Sequence, residues 1–161
     1  MKLLIEFLKS KLEKIHSNNV KINILGDLSK LDKNIVEEIN HAINLTKNNS
    51  KLELNIALNY GGRDEIIHAM KLLYADIQDS KLLLEEVDEE LFKNYLYTKN
   101  QPDPDILIRT SGEKRLSNFL NYQIAYSEFF FIDVNWPEFY PDNLHKVIYE
   151  YQNRTRRFGG L

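Results

Sequence analysis

The stretch Arg109-Thr110-Ser111-Gly112-Glu113-Lys114-Arg115-Leu116-Ser117-Asn118-Phe119 follows a short apolar strand, Asp105-Ile106-Leu107-Ile108, and precedes a segment with helical spacing, Phe119 to Tyr126. A strand that ends in a polar, glycine-containing turn and runs into a helix is the usual ligand position of an α/β protein. Ligands gather at the carboxyl ends of parallel strands, where backbone N–H groups at a helix start face outward. Arg109 and Arg115 add fixed positive charge, and guanidinium forks match phosphate oxygens two at a time. Ser117 can cap the expected helix and still offer a hydroxyl. Together these features read as a diphosphate clamp, although a lone arginine beside a strand end is commonly just a surface ion pair.

On the amino-terminal side, Leu4, Phe7, Leu8, Leu12 and Ile15 form one face of a helix over residues 2 to about 17. Val20 to Leu25 alternates like a strand and ends at Gly26-Asp27. Asp32 is a plausible N-cap for a helix to about Lys47, with Ile35, Ile39, Ala42 and Ile43 on its buried face. Leu52 to Leu58 is the second strand, and it runs into Asn59-Tyr60-Gly61-Gly62-Arg63. A helix is expected from near Asp64, with Ile66, Ile67, Met70 and Leu73 inward. Residues 79 to 100 are acidic and leucine-rich, with a short helix near Glu89 to Leu96, and Gln101-Pro102-Asp103-Pro104 forces an extended loop.

On the carboxyl-terminal side, Glu128 to Val134 reads as a buried fourth strand, closed by Trp136-Pro137-Glu138-Phe139. A last helix from about Asp142 would turn Leu144, Val147, Ile148 and Tyr151 inward, before Arg154-Thr155-Arg156-Arg157-Phe158-Gly159-Gly160-Leu161. Strands separated by helical patterns imply parallel β-α-β units with right-handed crossovers. The fold class expected is α/β, an open, mostly parallel sheet with helices on both faces, as a single domain over residues 1–161.

The 161 residues suffice for one domain with a real core. A formal net charge of -3 argues against a general nucleic-acid binder, which would carry a basic excess. No apolar run is long enough to span a bilayer, and the N-terminus shows no signal-peptide pattern, so a cytoplasmic protein is expected and the sequons at Asn44, Asn48 and Asn153 carry little weight. With no cysteine, disulfides, thiolate metal sites and cysteine nucleophiles are excluded. His16, His41, His68 and His145 fall on four separate expected helices or helix ends, without the spacing of a histidine metal site.

The Arg109–Phe119 string resembles, almost residue for residue, the isopentenyl-diphosphate-binding signature of the cis-prenyltransferases, the family of undecaprenyl diphosphate synthase. Asn59-Tyr60-Gly61-Gly62-Arg63 after its apolar strand is similar to a second motif of that family. The resemblance implies that isopentenyl diphosphate attacks C1 of an allylic diphosphate, such as farnesyl diphosphate, to give a polyprenyl diphosphate for cell-wall lipid carriers. It implies that Arg109 and Arg115 hold the isopentenyl diphosphate, that Ser117 donates to it, and that Glu128 is a ligand of Mg2+. Glu113 would orient Arg109 or Arg115. Arg157-Phe158-Gly159 resembles the C-terminal Arg-x-Gly motif with which one subunit of the family's homodimers reaches its partner's isopentenyl site, so Arg157 and Gly159 join the substrate-binding set. A basic helix end that complements the helix dipole explains the same residues equally well. The product lipid would bring the enzyme to the membrane surface. Ser111 stands where glycine is frequent, and Lys114, where histidine often stands, keeps the charge but loses an imidazole. Glu128 carries a difficulty: the expected strand places it at the amino end, away from the clamp.

Family members also carry a strand ending in Met-Asp-Gly-Asn-x-Arg, whose aspartate binds magnesium, and a second strand with a Ser-x-x-Asn-Trp-type segment. Neither motif occurs in this sequence, where Gly26 precedes Asp27 and no Asp-Gly pair exists. The chain is therefore expected to represent the C-terminal portion of such a synthase, lacking the first strands of the family fold. Its absent catalytic aspartate would leave it inactive alone, and its uncovered sheet edge would leave it poorly soluble or dependent on a partner for the missing strands. The alternative is a non-catalytic partner subunit or remnant of a cis-prenyltransferase.

Overall fold

The computed structural model describes residues 2–155, with Arg157 and Gly159 outside them. The chain divides into two compact units, Met1–Lys99 and Asn100–Leu161. The first holds α1 (Lys2–Ser17), β1 (Val20–Leu25), α2 (Lys33–Thr46), β2 (Leu52–Ala57), α3 (Gly62–Gln78) and the short α4 (Glu89–Lys93). The second holds β3 (Ile106–Arg109), β4 (Glu128–Phe131) and α5 (Pro141–Asn153). Both strand pairs are parallel, Ile22 opposite Leu54 in β1–β2 and Ile108 opposite Phe130 in β3–β4. The expected α/β class with parallel strands is what the chain forms.

In the first unit Leu12 of α1, Ile22 of β1 and Ile35, Ile39 and Ala42 of α2 make one buried cluster. Period-2 alternation in β1 aims Ile22 at this cluster, and the 3.6-residue period of α2 stacks its three apolar residues on one face. Thr46 closes the seam. Its Oγ1 accepts from the Ile22 N–H at 3.0 Å and donates to the Ala42 carbonyl at 2.8 Å, with the side chain fully buried. Asp32 stands at the N-cap of α2 as expected, but its side chain makes no capping bond.

The carboxyl ends of β1 and β2 are joined tightly. Leu58 N–H donates to the Leu25 carbonyl at 2.9 Å, and the Asn59 amide donates to the Asp27 carbonyl at 2.7 Å. Gly26 lies between them with φ +124°, and a Cβ there would sit 2.2 Å from the Leu58 carbonyl oxygen. Only glycine permits both that dihedral and that approach.

Several expectations need correction. The segment Phe119–Tyr126 is not a helix but a run of turns, because Ser117, Asn118 and Leu120 adopt φ of 51°, 63° and 47°. Left-handed residues break the i→i+4 ladder that the apolar spacing suggested. Ser117 therefore caps no helix. β4 ends at Phe131 rather than Val134. On α3 the inward face is Glu65, Ala69 and Leu73, while Ile67 and Met70 are 46% and 52% exposed. On α5 only Val147 is buried, with Leu144 and Ile148 exposed. In both helices the period was legible, but the covered face is the one on which this chain supplies a neighbour.

Thr46→Val keeps the shape but strips the Ile22 N–H of its acceptor. We expect a loss of about 1–3 kcal/mol, read as a lower urea midpoint at unchanged slope. Gly26→Ala should cost more than about 1 kcal/mol by the same measurement, since it adds a Cβ in left-handed backbone.

Candidate functional site

Register places the arginine turn. Arg109 ends β3 opposite Phe131 of β4, so the turn leaves from the carboxyl end of the pair. The residues after β4 then bind the turn itself. Ile132 N–H donates to the Arg109 carbonyl at 2.9 Å, Ser111 N–H to the Val134 carbonyl at 2.8 Å, and Gly112 N–H to the Ile132 carbonyl at 3.0 Å. Ser111 and Gly112 have φ of 67° and 66°, which curls the turn back along residues 132–134. The Ser111 and Gly112 N–H groups are thus engaged within the protein. The expected helix start is absent, and these two N–H groups do not face outward as expected.

Those side chains converge. Arg109 Nη1 donates to Ser117 Oγ at 3.2 Å, which leaves the serine proton free to point elsewhere. Arg109 and Arg115 line one cavity of about 250 Å³ whose walls are Ile106, Leu107, Leu116, Phe119 and Ile124. A cationic, hydrogen-bonding rim over an apolar floor suits a small molecule with a polyanionic head and a hydrocarbon tail. Arg115 Nη1 donates to Glu113 Oε2, so Glu113 orients Arg115, one of the two arginines foreseen for it. Arg115 and Ser117 are exposed, and Arg109 is half-buried.

Glu128 lies elsewhere. It pairs with Ile106, three register positions before Arg109, or roughly 10 Å along the strands. Its Oε2 accepts from Arg154 Nη1 at 2.7 Å. Arg154 also donates to the Phe129 carbonyl at 3.3 Å, and its guanidinium stands 4.0 Å over the Phe130 ring. Among the described residues no group of three or more His, Asp or Glu side chains could hold a metal ion. Glu128 offers a single carboxylate already paired with Arg154, and the described residues around it do not by themselves make an Mg2+ site.

The first unit carries the Asn59–Arg63 motif at the carboxyl end of β2. Asp27, Lys30, Asn59, Tyr60, Gly61 and Asp64 line a polar cavity of about 280 Å³. The Ser29 side chain and backbone N–H hold the Asp27 carboxyl below the usual carboxylate range. Burial, with the nearby Asp27, Asp64 and Glu65 charges, pushes the Tyr97 phenol up. Beneath the turn, fully buried Glu65 accepts from the Tyr60 hydroxyl at 2.5 Å and from the Tyr97 N–H at 2.8 Å. Sequence reading missed Glu65 because an acid in the first turn of a helix looks like an ordinary dipole partner. Arg154 was missed because it stands within a basic helix end.

A family model described as putative undecaprenyl diphosphate synthase matches residues 1–159. The chain belongs to the cis-prenyltransferase family. It is 56% identical over its full length to an isoprenyl transferase of Clostridium tetani, and it spans 63% of that protein. Over 99% of its length it is 46% identical to the farnesyl-diphosphate-specific ditrans,polycis-undecaprenyl-diphosphate synthase of Pasteurella multocida, and it spans 67% of that sequence. Among solved structures, lavandulyl diphosphate synthase of Lavandula x intermedia, in complex with dimethylallyl diphosphate, superposes with a TM-score of 0.94 at 31% identity. That match covers 99% of this chain and 69% of the lavender one. A probable undecaprenyl diphosphate synthase of Campylobacter jejuni gives a TM-score of 0.85 at 36% identity, covering 99% and 72%. Like the turn it supports, Glu65 thus sits in a cis-prenyltransferase fold, where its carboxylate ties the motif to the chain at Tyr97.

Glu65→Ala leaves a buried N–H and a hydroxyl without their acceptor, and we expect about 2–4 kcal/mol of lost stability in urea denaturation. Glu65→Gln, which keeps one carbonyl oxygen, should lose roughly half as much.

Proposed function

We propose that this chain carries the isopentenyl-diphosphate-binding half of a cis-prenyltransferase that condenses isopentenyl diphosphate onto an allylic diphosphate such as farnesyl diphosphate. The product class is a cis-polyprenyl diphosphate of the undecaprenyl type. The reading rests on Arg109 and Arg115 lining one cavity with an apolar floor, with Ser117 bonded to Arg109. Arg109 and Arg115 grip the diphosphate as planar forks, and the Ser117 hydroxyl donates to it while its oxygen keeps the Arg109 contact. Glu113 keeps Arg115 in place until the anion arrives. The five-carbon chain lies on Leu116, Phe119 and Ile124, and this fixes the double bond relative to the head group. Orientation of this kind supplies much of the rate in a two-substrate condensation.

In the proposed enzyme Glu128 would be one ligand of a magnesium ion, which would neutralise charge on the departing diphosphate. Arg157 and Gly159 complete a neighbouring subunit's clamp in a homodimer, and both compact units belong to one cis-prenyltransferase domain. No helix of the described residues is long and apolar enough to cross a membrane, in keeping with a cytoplasmic enzyme that meets the bilayer only through its lipid product.

Isothermal titration with isopentenyl diphosphate tests the clamp. Arg109→Ala and Arg115→Ala should each weaken binding roughly ten- to a hundredfold, with circular dichroism unchanged. Undiminished binding in both variants sinks the reading. With farnesyl diphosphate and Mg2+ added, this chain alone should form no elongated product, because it contains no Asp-Gly-Asn-x-Arg motif.

A further inference from the structure

Ser117, Asn118 and Leu120, just after the arginine turn, hold left-handed backbone with φ of 51°, 63° and 47°. Asparagine is at home there, because its short amide can bond locally. Leucine is not, since in that region its Cβ crowds the following carbonyl oxygen, and glycine would take the same dihedral without strain. Neighbours nonetheless hold Leu120 in place. Phe119 N–H donates to the Leu116 carbonyl at 3.2 Å, and the N–H of buried Ile124 donates to the Leu120 carbonyl at 3.2 Å. Strained backbone that its surroundings fix in this way clusters at binding and catalytic sites. Leu120 is half-buried and lines the same cavity of about 250 Å³ as Arg109 and Arg115. We propose that Leu120 sets the fit of this cavity to the hydrocarbon tail of isopentenyl diphosphate, and that the strain at residue 120 is kept for that contact.

This role rests on the clamp reading and adds the part of the ligand that no charged group recognises. Arg109, Arg115 and Ser117 would hold a diphosphate whatever is attached to it. An apolar wall distinguishes a prenyl diphosphate from a bare one, because it takes the tail out of water. Ile106, Leu107 and Ile108 also line the cavity, but they belong to β3, where pairing with β4 fixes their register. Leu120 stands in the turns beyond the clamp, outside the strand pair. Its side chain is therefore a part of the wall that can change length or shape while β3 and β4 stay as they are. Leu120 thus decides which tail follows the head group into the cavity.

Titrating the full chain with isopentenyl diphosphate and, separately, with inorganic diphosphate isolates the tail from the head group. Leu120→Gly fits the dihedral and removes the side chain. It should weaken isopentenyl diphosphate binding roughly three- to tenfold and leave inorganic diphosphate binding unchanged. Leu120→Asn, which also suits left-handed backbone, should do the same, whereas Leu120→Met restores an apolar side chain and should recover most of the lost affinity. The urea midpoint of Leu120→Gly should stay close to that of the unaltered chain, because relief of strain offsets the lost contacts of a half-buried side chain. Equal weakening toward both ligands, with a lower urea midpoint, would mean that Leu120 only packs the turns. Unchanged isopentenyl diphosphate affinity in both Leu120→Gly and Leu120→Asn would mean that it does not touch the tail. Either result overturns the proposal. The clamp reading fails by another route, undiminished binding in Arg109→Ala and Arg115→Ala, so the two failures are told apart.

Discussion

Two backbone hydrogen bonds hold the arginine turn in shape, from Ser111 N–H to the Val134 carbonyl and from Gly112 N–H to the Ile132 carbonyl. Without them the sequence between Arg109 and Ser117 would be an exposed polar loop with nothing to stop its two guanidinium groups from drifting apart. Parallel pairing of β3 with β4 brings residues 132–134 alongside the turn, and the left-handed dihedrals of Ser111 and Gly112 turn their N–H groups toward it. The apolar cavity follows from the same geometry, since its floor is made by β3 and by the turns that come after the clamp. Fold and site are therefore set by one short parallel pair.

The first unit uses a different device for a similar end. Gly26 lets the ends of β1 and β2 approach closely, and the buried carboxylate of Glu65 anchors the turn that follows β2. Each unit thus rigidifies the carboxyl end of its strand pair, the first through a side chain from a helix and the second through backbone from a neighbouring loop. Relatives more than half as long again still align across all of this chain.

Much of this was legible in the amino-acid sequence. The α1, β1, α2, β2 order and the buried faces of α2 follow from period and alternation, and the clamp residues stood out by charge and spacing. Three things were not legible. The apolar spacing of 119–126 imitates a helix, and only the dihedrals of Ser117, Asn118 and Leu120 reveal a chain of turns. The apolar side of α3 is amphipathic in pattern, yet the face that packs is the one bearing Ala69 and Glu65, because covering a face needs a neighbour that pattern cannot supply. Glu128 was placed at the amino end of its strand, and the register agrees; what sequence could not give was its partner Arg154, a long-range pair across twenty-six positions.

The use of the Ser111 and Gly112 amides inside the protein has a consequence for how the pocket can change. A phosphate-binding loop that relies on its main chain can be retuned only by reshaping the loop, since no substitution removes an N–H except proline. Here the side chains of Arg109, Arg115 and Ser117, proposed above to recognise the anion, stand on a turn whose Ser111 and Gly112 amides are already bonded within the protein. Swapping Arg109, Arg115 or Ser117 alters charge and reach while the turn stands. Diversification of those three positions, whether by natural drift or by a randomised library, is therefore cheap in folding terms.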